Sequence, residues 1–413
     1  MIDEITSRIL GRHPEQRELH ARLVEFLDRH LAEPVCEQDA QPDWAALRRR
    51  AAAAGLTTIG IGSPHSAGHV AQGMAAFLAG QRDCDARELF GVGHAAMILR
   101  HGSPSLAHLV HRRAVEEGSL VGVAVSEPQS GSDLRGLRTV AVDHDDHLVL
   151  SGTKGFISRV QEAVGFVVFC KILTADSGRA RARGEGEGPA GMRDVPLSAV
   201  WIPQDVPGLH HDVSPALGIR GWSFGHLELS DVRVRRDWLV GPPGRGRHVF
   251  DTHFAPWRLL MALVCLGAAA AAIEESMAHA RQRHIGAGTL ASLPAVVTRL
   301  GRAAAEIASA TSWCFALLDD LDHGVDSSTG SAAAKALATE CAYRAVDLAL
   351  QLHGSEGYTE YTPMEKRLRD IRGLCIADGP NDALFSAAAH SLLRSPALVQ
   401  RPKAQHDARP PAS

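Results

Sequence analysis

The periodicity of the chain changes twice, and this restricts its fold more than any single motif does. From the N-terminus to about Gly118, apolar residues recur at three- and four-residue spacing. In "QRELHARLVEFLDRH", Leu19, Leu23, Phe26 and Leu27 line one helix face, and "DWAALRRRAAAAGL" reads as a helix stopped by Gly55. After Gly118 come short β-branched runs, "LVGVAVS", "GFVVFCKIL", "SAVWIP" and "GHLELSDVRV", while the Asp-Asp pair in "VAVDHDDHLVL" reads as a hairpin turn. From Phe250 to about Arg394, long Ala- and Leu-rich helical segments return, with small-residue faces suited to close helix packing and to subunit contacts. Strands and helices are segregated rather than alternating, which predicts an α+β fold and excludes a doubly wound sheet. The expected units are a helical N-terminal domain (1–118), a β-domain (119–241), a helical bundle (242–395) and a Pro-rich disordered tail (396–413). The Gly-, Arg- and Glu-rich stretch Ala175 to Asp194 is expected to be a mobile loop.

A chain of 413 residues can pack two or three such units around a ligand crevice. A net charge of -4 provides no global basic field for nucleic acid or an anionic membrane. The seven cysteines are scattered, odd in number and without a Cys-x-x-Cys pair, so a zinc module or secreted disulfide framework is not expected. No helix-spaced histidine pair with a companion carboxylate suggests a metal site. The N-terminus lacks a basic start followed by an apolar stretch. The longest apolar run, Leu259 to Ile273, is Ala-rich and short for a bilayer span. These features predict a cytoplasmic protein without a membrane partner.

Three stretches carry candidate chemistry. In "VAVSEPQSGSDLRG" (Val123 to Gly136) a strand runs into a Gly/Ser-rich turn. Backbone N–H groups with the Ser126 and Ser132 hydroxyls could satisfy a flavin or phosphate there, and Gly131 permits close approach; an ordinary strand-to-loop turn is the alternative. In "LSGTKGFIS", Phe156 could lie against an aromatic ring system and Ser158 could donate a hydrogen bond to it, although a strand aromatic is more often plain core. In "LQLHGSEGYTEYTPMEKRLRDIR", Gly354 and Gly357 break a helix beside Gln351, where a simple C-cap is the alternative.

Taken together, in this order and spacing, these segments resemble the acyl-CoA dehydrogenase family of FAD flavoenzymes. "SEPQSGSD" matches one family signature and "QLHGSEGYTEYTPMEKRLRD" a second, and the likeness runs from about residue 15 to about 395. The resemblance implies a helical N-terminal domain, a middle β-domain and a C-terminal four-helix bundle, with FAD as cofactor. It further implies that Val123, Val125, Ser126, Gly131 and Ser132 contact the flavin and pyrophosphate. Phe156 stands where a Trp usually faces the isoalloxazine, and Ser158 where a Thr usually stands. Arg283, Gln351 and Gly354 match contacts to a neighbouring subunit's FAD, hence a homodimer or homotetramer, while Ser132 and Arg258 match positions near the substrate. Departures are Gly286, Pro294, Ser355 and Pro380 at motif positions, and Ala255 where an acidic residue is common near the thioester arm. They direct attention to an acyl carrier protein as well as CoA as the thioester carrier.

Asp378, in "ADGPN", occupies the position of the family's usual glutamate base, and Trp257 occupies the alternative base position. Abstraction of a thioester α-proton needs a carboxylate within hydrogen-bond reach. Locally, Asp378 followed by Pro380 and an apolar run also reads as a helix cap. The resulting expectation is an FAD-dependent dehydrogenase of a short acyl or hydroxyacyl thioester in secondary-metabolite precursor synthesis, such as a polyketide building block. Its electrons would pass to an electron-transfer flavoprotein or oxygen. A flavin monooxygenase of the same fold and a non-catalytic flavin- or acyl-binding subunit are the competing readings.

Overall fold

The structure is a computed structural model that describes residues 1–36, 41–61, 68–177 and 191–394. The core of the expected mobile loop, 178–190, and the expected disordered tail lie outside the described residues.

Amphipathic patterning places the first helices. α1 (Ile2–Arg12) is followed by α2 (Arg17–His30), whose Leu19, Leu23, Phe26 and Leu27 are all buried. α3 (Trp44–Ala53) starts where the Asp43 carboxylate accepts from the Ala46 N–H at 2.8 Å and ends near Gly55, whose φ of +70° takes the left-handed turn that a glycine allows. α4 (His69–Arg82), α5 (Ala95–His101) and α6 (Pro104–His111) complete the N-terminal set. The first turn of α4 is capped from a distance: the His69 and Val70 N–H groups donate to the carboxylate of Asp322, far along the chain.

The β-branched runs form one sheet of seven strands: β1 (Leu120–Ala124), β2 (Val140–Asp143), β3 (His147–Ser158), β4 (Ala163–Thr174), β5 (Leu197–Pro203), β6 (Leu209–Val213) and β7 (Phe224–Arg235). β4 is central, parallel to β1 and β2 and antiparallel to β5. β2 and β3 form the hairpin read from the Asp-Asp pair, with Asp145 at φ +66°. β6 has no counterpart in the sequence reading: four of its five residues are exposed at the sheet edge, so no alternating apolar signal marks it.

The bundle comprises α7 (Gly246–Gln282), α8 (Pro294–Asp322), α9 (Ser328–His353), α10 (Met364–Leu374) and α11 (Asn381–Leu393), with a minimal hairpin, β8 (His284–Ile285) and β9 (Gly288–Thr289), after α7. At 37 residues, α7 runs roughly 55 Å. The apolar run expected to be short for a bilayer is therefore part of a helix that is long and apolar enough to cross one. Its apolar segment is instead 94% buried within this fold. α4 and α7 touch backbone to backbone. A Cβ on Gly80 would lie 2.1 Å from the Val264 carbonyl oxygen, and one on Gly267 would lie 2.1 Å from that of Phe77. One apolar core runs through both helical regions, and the sheet builds two more on its faces.

Candidate active site

The segment joining α10 to α11 turns through two left-handed residues, Asp378 (φ +57°) and Gly379 (φ +110°). Three donors hold it. Arg258 Nε donates to the Asp378 carbonyl at 2.9 Å, Lys335 Nζ to the Gly379 carbonyl at 2.9 Å, and the Trp257 indole N–H to Asp378 Oδ2 at 3.1 Å. The helix-cap reading of Asp378 does not describe this geometry. α11 begins at Asn381 with Pro380 at the cap position rather than in the first turn, and no side chain caps it. The left-handed turn swings the carboxylate towards α7, away from the first N–H groups of α11.

Asp378 keeps part of its surface open yet lies deep in the fold. Burial pushes its pKa above the ordinary carboxylate value, while Lys335, Arg258, the Trp257 hydrogen bond and Arg159 pull it back. Oδ1 has no hydrogen-bond partner among the described residues. A carboxylate with spare acceptor capacity and raised proton affinity is suited to take a proton.

Trp257 forms part of the wall of a cavity of about 310 Å³, between α4, α5 and the start of α7. Met97, Leu260 and Met261 supply apolar lining, and Thr252, His253 and Arg100 polar lining. No aspartate or glutamate among the described residues lines it. Buried His253 bonds through Nε2 to Nδ1 of buried His94 at 2.8 Å, and both rings pack on Trp257. Burial, reinforced by neighbouring arginines, pulls His253 down to about 3 and His94 in the same direction, so the pair is neutral at physiological pH. Sequence reading missed this pair because 159 residues separate its members.

The signature loop is built around a residue that the sequence reading left without a role. Glu127 is buried and accepts from the Arg138 and Thr139 N–H groups and from Lys154 Nζ at 2.8 Å. Burial alone would raise its pKa, but Lys154 and these hydrogen bonds outweigh it and hold it at about 2. Lys154 also donates to the Val125 carbonyl, and the Gly155 N–H to that of Ser126 at 2.9 Å, so Val125 and Ser126 are tied to β3, while Val123 pairs with Val167 of β4. There the register with β7 shifts between Lys154 and Ile157, and Phe156 is forced to φ +62° with its ring 61% exposed beside Phe224 and His226. Ser158 follows, half-buried. Gly131 and Ser132 are exposed, and nothing lies within 4 Å of a Cβ built on Gly131. An apolar ring held out by a conformation that costs a non-glycine residue energy, beside an open backbone turn, suits a planar aromatic cofactor.

Arg283, Gln351 and Gly354 form a separate group. All three are exposed, and they lie near the ends of α7 and α9, where His279 stacks on His353 with ring centroids 4.4 Å apart. Along the axis, Arg258 and Arg283 stand roughly 37 Å apart, at 1.5 Å per residue.

Two family descriptions match the chain, "Acyl-CoA dehydrogenase, middle domain" over residues 122–232 and "Acyl-CoA dehydrogenase, C-terminal domain" over 244–393. The YngJ acyl-CoA dehydrogenase of Bacillus subtilis (strain 168) is 30% identical over 287 residues, 69% of this chain and 71% of that protein. Butyryl-CoA dehydrogenase from Megasphaera elsdenii superposes with a TM-score of 0.80 at 22% identity, over 92% of this chain and 98% of that one. The prolyl acyl carrier protein oxidase AnaB does so with a TM-score of 0.76 at 17% identity, over 94% and 98%. The chain belongs to the acyl-CoA dehydrogenase family. It has that family's fold and is an FAD-dependent oxidoreductase; Phe156 and the turn at Gly131 fit the flavin.

Proposed function

We propose that the chain oxidises a short acyl or hydroxyacyl thioester, carried on CoA or on an acyl carrier protein, with Asp378 as the base that removes the α-proton. The observation that carries this reading is the Asp378 carboxylate, turned towards Trp257 with one oxygen unpartnered and its proton affinity raised by burial. Bound FAD supplies the acceptor for the hydride that leaves the β-carbon. The protein's part is to hold Oδ1 or Oδ2 at the α-carbon, to keep the carboxylate ionised through Lys335 and Arg258, and to exclude water with Trp257 and the cavity wall.

Two features support the finer reading. Ala255 is buried and offers no charge to a thioester arm, and a structural neighbour carries the name of a carrier-protein oxidase. A biosynthetic role in the cytoplasm, with electrons passed to an electron-transfer flavoprotein or oxygen, is part of the proposal. So is a homodimer or homotetramer: Arg283, just past the end of α7, and Gln351 and Gly354, at the end of α9, are exposed and match the positions that contact a neighbouring subunit's FAD.

The test is an anaerobic visible titration of the FAD-loaded protein with short acyl and 2-hydroxyacyl thioesters, on CoA and on a carrier protein. Bleaching of the oxidised-flavin band by one class identifies the substrate and carrier. An unbleached band with every one of them overturns the reading.

A further inference from the structure

Lys335 is a buried cation without a carboxylate at ion-pair distance among the described residues. Its side chain is 0% exposed, and its ammonium donates to two neutral acceptors, the Gly379 carbonyl at 2.9 Å and Asn381 Oδ1 at 3.1 Å. Asn381 is itself fixed, because its Nδ2 donates to Thr339 Oγ1 at 3.0 Å and to the Ala336 carbonyl at 3.3 Å. A buried ammonium satisfied only by neutral groups is costly unless an opposite charge lies close. Here the nearby opposite charge is Asp378, one peptide unit away. On the other side of that peptide, half-buried Arg258 donates Nε to the Asp378 carbonyl, with its guanidinium over the stacked rings of Phe250 and Phe254.

We propose that Lys335 and Arg258 clamp the left-handed turn through its two successive carbonyls, and that Lys335 is a positioning residue that fixes both the reach and the ionisation of the Asp378 carboxylate. The clamp explains how an aspartate, one methylene shorter than a glutamate, is placed. Neither backbone carbonyl can rotate without stripping a buried cation of an acceptor, so the carboxylate stays where Trp257 meets it. The charged groups facing Asp378 come from three directions: Lys335 from α9, Arg258 from α7, and Arg159 from the sheet, the last already ion-paired with Glu88. Asp251 and Arg247 lie beyond Arg258, and the thiols of Cys265 and Cys375 flank Lys335. Of these, Lys335 exerts the largest effect on Asp378, and neither it nor Arg258 has a carboxylate at ion-pair distance among the described residues.

The role of the clamp in turnover rests on Asp378 as base, but its effect on the carboxylate does not, and the test separates the two. The full FAD-loaded chain, labelled with ¹³C-aspartate, is titrated by pH-difference infrared spectroscopy, and the protonated-carboxyl band of Asp378 is assigned by its loss in Asp378→Asn. In Lys335→Gln the midpoint of that band is expected to rise by about one pH unit or more, a tenfold change in the acid constant. The pH profile of turnover is expected to move with it, with kcat falling more than KM rises. An unmoved midpoint in a folded, flavin-retaining Lys335→Gln protein overturns the proposal. Should that variant not fold, Arg258→Gln, which opens the other carbonyl, is titrated in the same way, with an upward shift supporting the clamp and none overturning it. A shifted midpoint together with full turnover in Asp378→Asn leaves the clamp standing and removes Asp378 as base.

Discussion

The indole N–H of Trp257 points at the carboxylate of Asp378 from 3.1 Å. In the sequence, Trp257 marks only a position that supplies no base. In the fold it serves the residue that can. Because burial raises Asp378's proton affinity, the proposed base is active in its ionised form, above a midpoint higher than the ordinary carboxylate value of 3.8. Turnover should therefore climb with pH through that midpoint. Trp257→Phe, which removes a donor to the charged form, should move the climb to still higher pH. Asp378→Asn should lower kcat by roughly a hundred- to ten-thousand-fold with flavin content unchanged. A pH series of kcat and kcat/KM on the three proteins, with bound flavin measured by absorbance, checks these outcomes.

Phe156 pays for its exposure with a left-handed backbone. Phe156→Gly should relieve about 1 kcal/mol of strain and raise the melting temperature of the apoprotein. The same change should weaken FAD retention, because it removes the exposed ring that fits the flavin. Apoprotein calorimetry and a flavin-release assay should move in opposite directions.

Glu127 stands beside a fully buried Lys154. Glu127→Gln would strand that ammonium, a loss of about 3–5 kcal/mol, read as a fall in the unfolding midpoint. The acid response follows from the same pair. The folded value, about 2, lies below the ordinary 4.5, so the unfolded chain takes up the proton first. This share of the stability is complete above about pH 4.5 and is lost as pH falls towards 2. Denaturant melts across that range should show the decline in the wild type and not in Glu127→Gln.

Met97 lines the cavity and is 1% exposed. Met97→Ala should lengthen the space beyond Trp257, and kcat/KM for an acyl chain one or two carbons longer should gain about tenfold on the shorter one. A chain-length series of thioesters measures it directly.

The segregation of helices and strands was legible because periods of 3.6 and 2 leave different apolar spacings, and α2 buries the four residues that its spacing selects. β6 was not legible, since an edge strand with four exposed residues in five needs no alternation. Candidate residues were legible where they sit in a contiguous motif, as at Phe156 and Asp378. They were hidden where the partners are distant in sequence. Glu127 meets Lys154 across 27 residues, Trp257 meets Asp378 across 121, and Lys335 meets Gly379 across 44. The handedness of Asp378 was hidden for another reason. A left-handed aspartate two residues before a proline leaves the same letters as a helix cap, and the three donors that hold it come from elsewhere.

The glycine contact between α4 and α7 reaches further than its own atoms. Gln72, Ala75 and Ala76 on α4 and Pro256, Trp257 and Leu260 on α7 are facing walls of the cavity, yet neither Gly80 nor Gly267 lines it. With the two backbones already touching, the crossing acts as a fulcrum. One added methyl there must pry the helices apart and widen the gap between the walls, with every lining side chain unchanged. The gauge of this cavity is thus set partly by two residues outside its lining, and a search for specificity confined to the lining would pass over them.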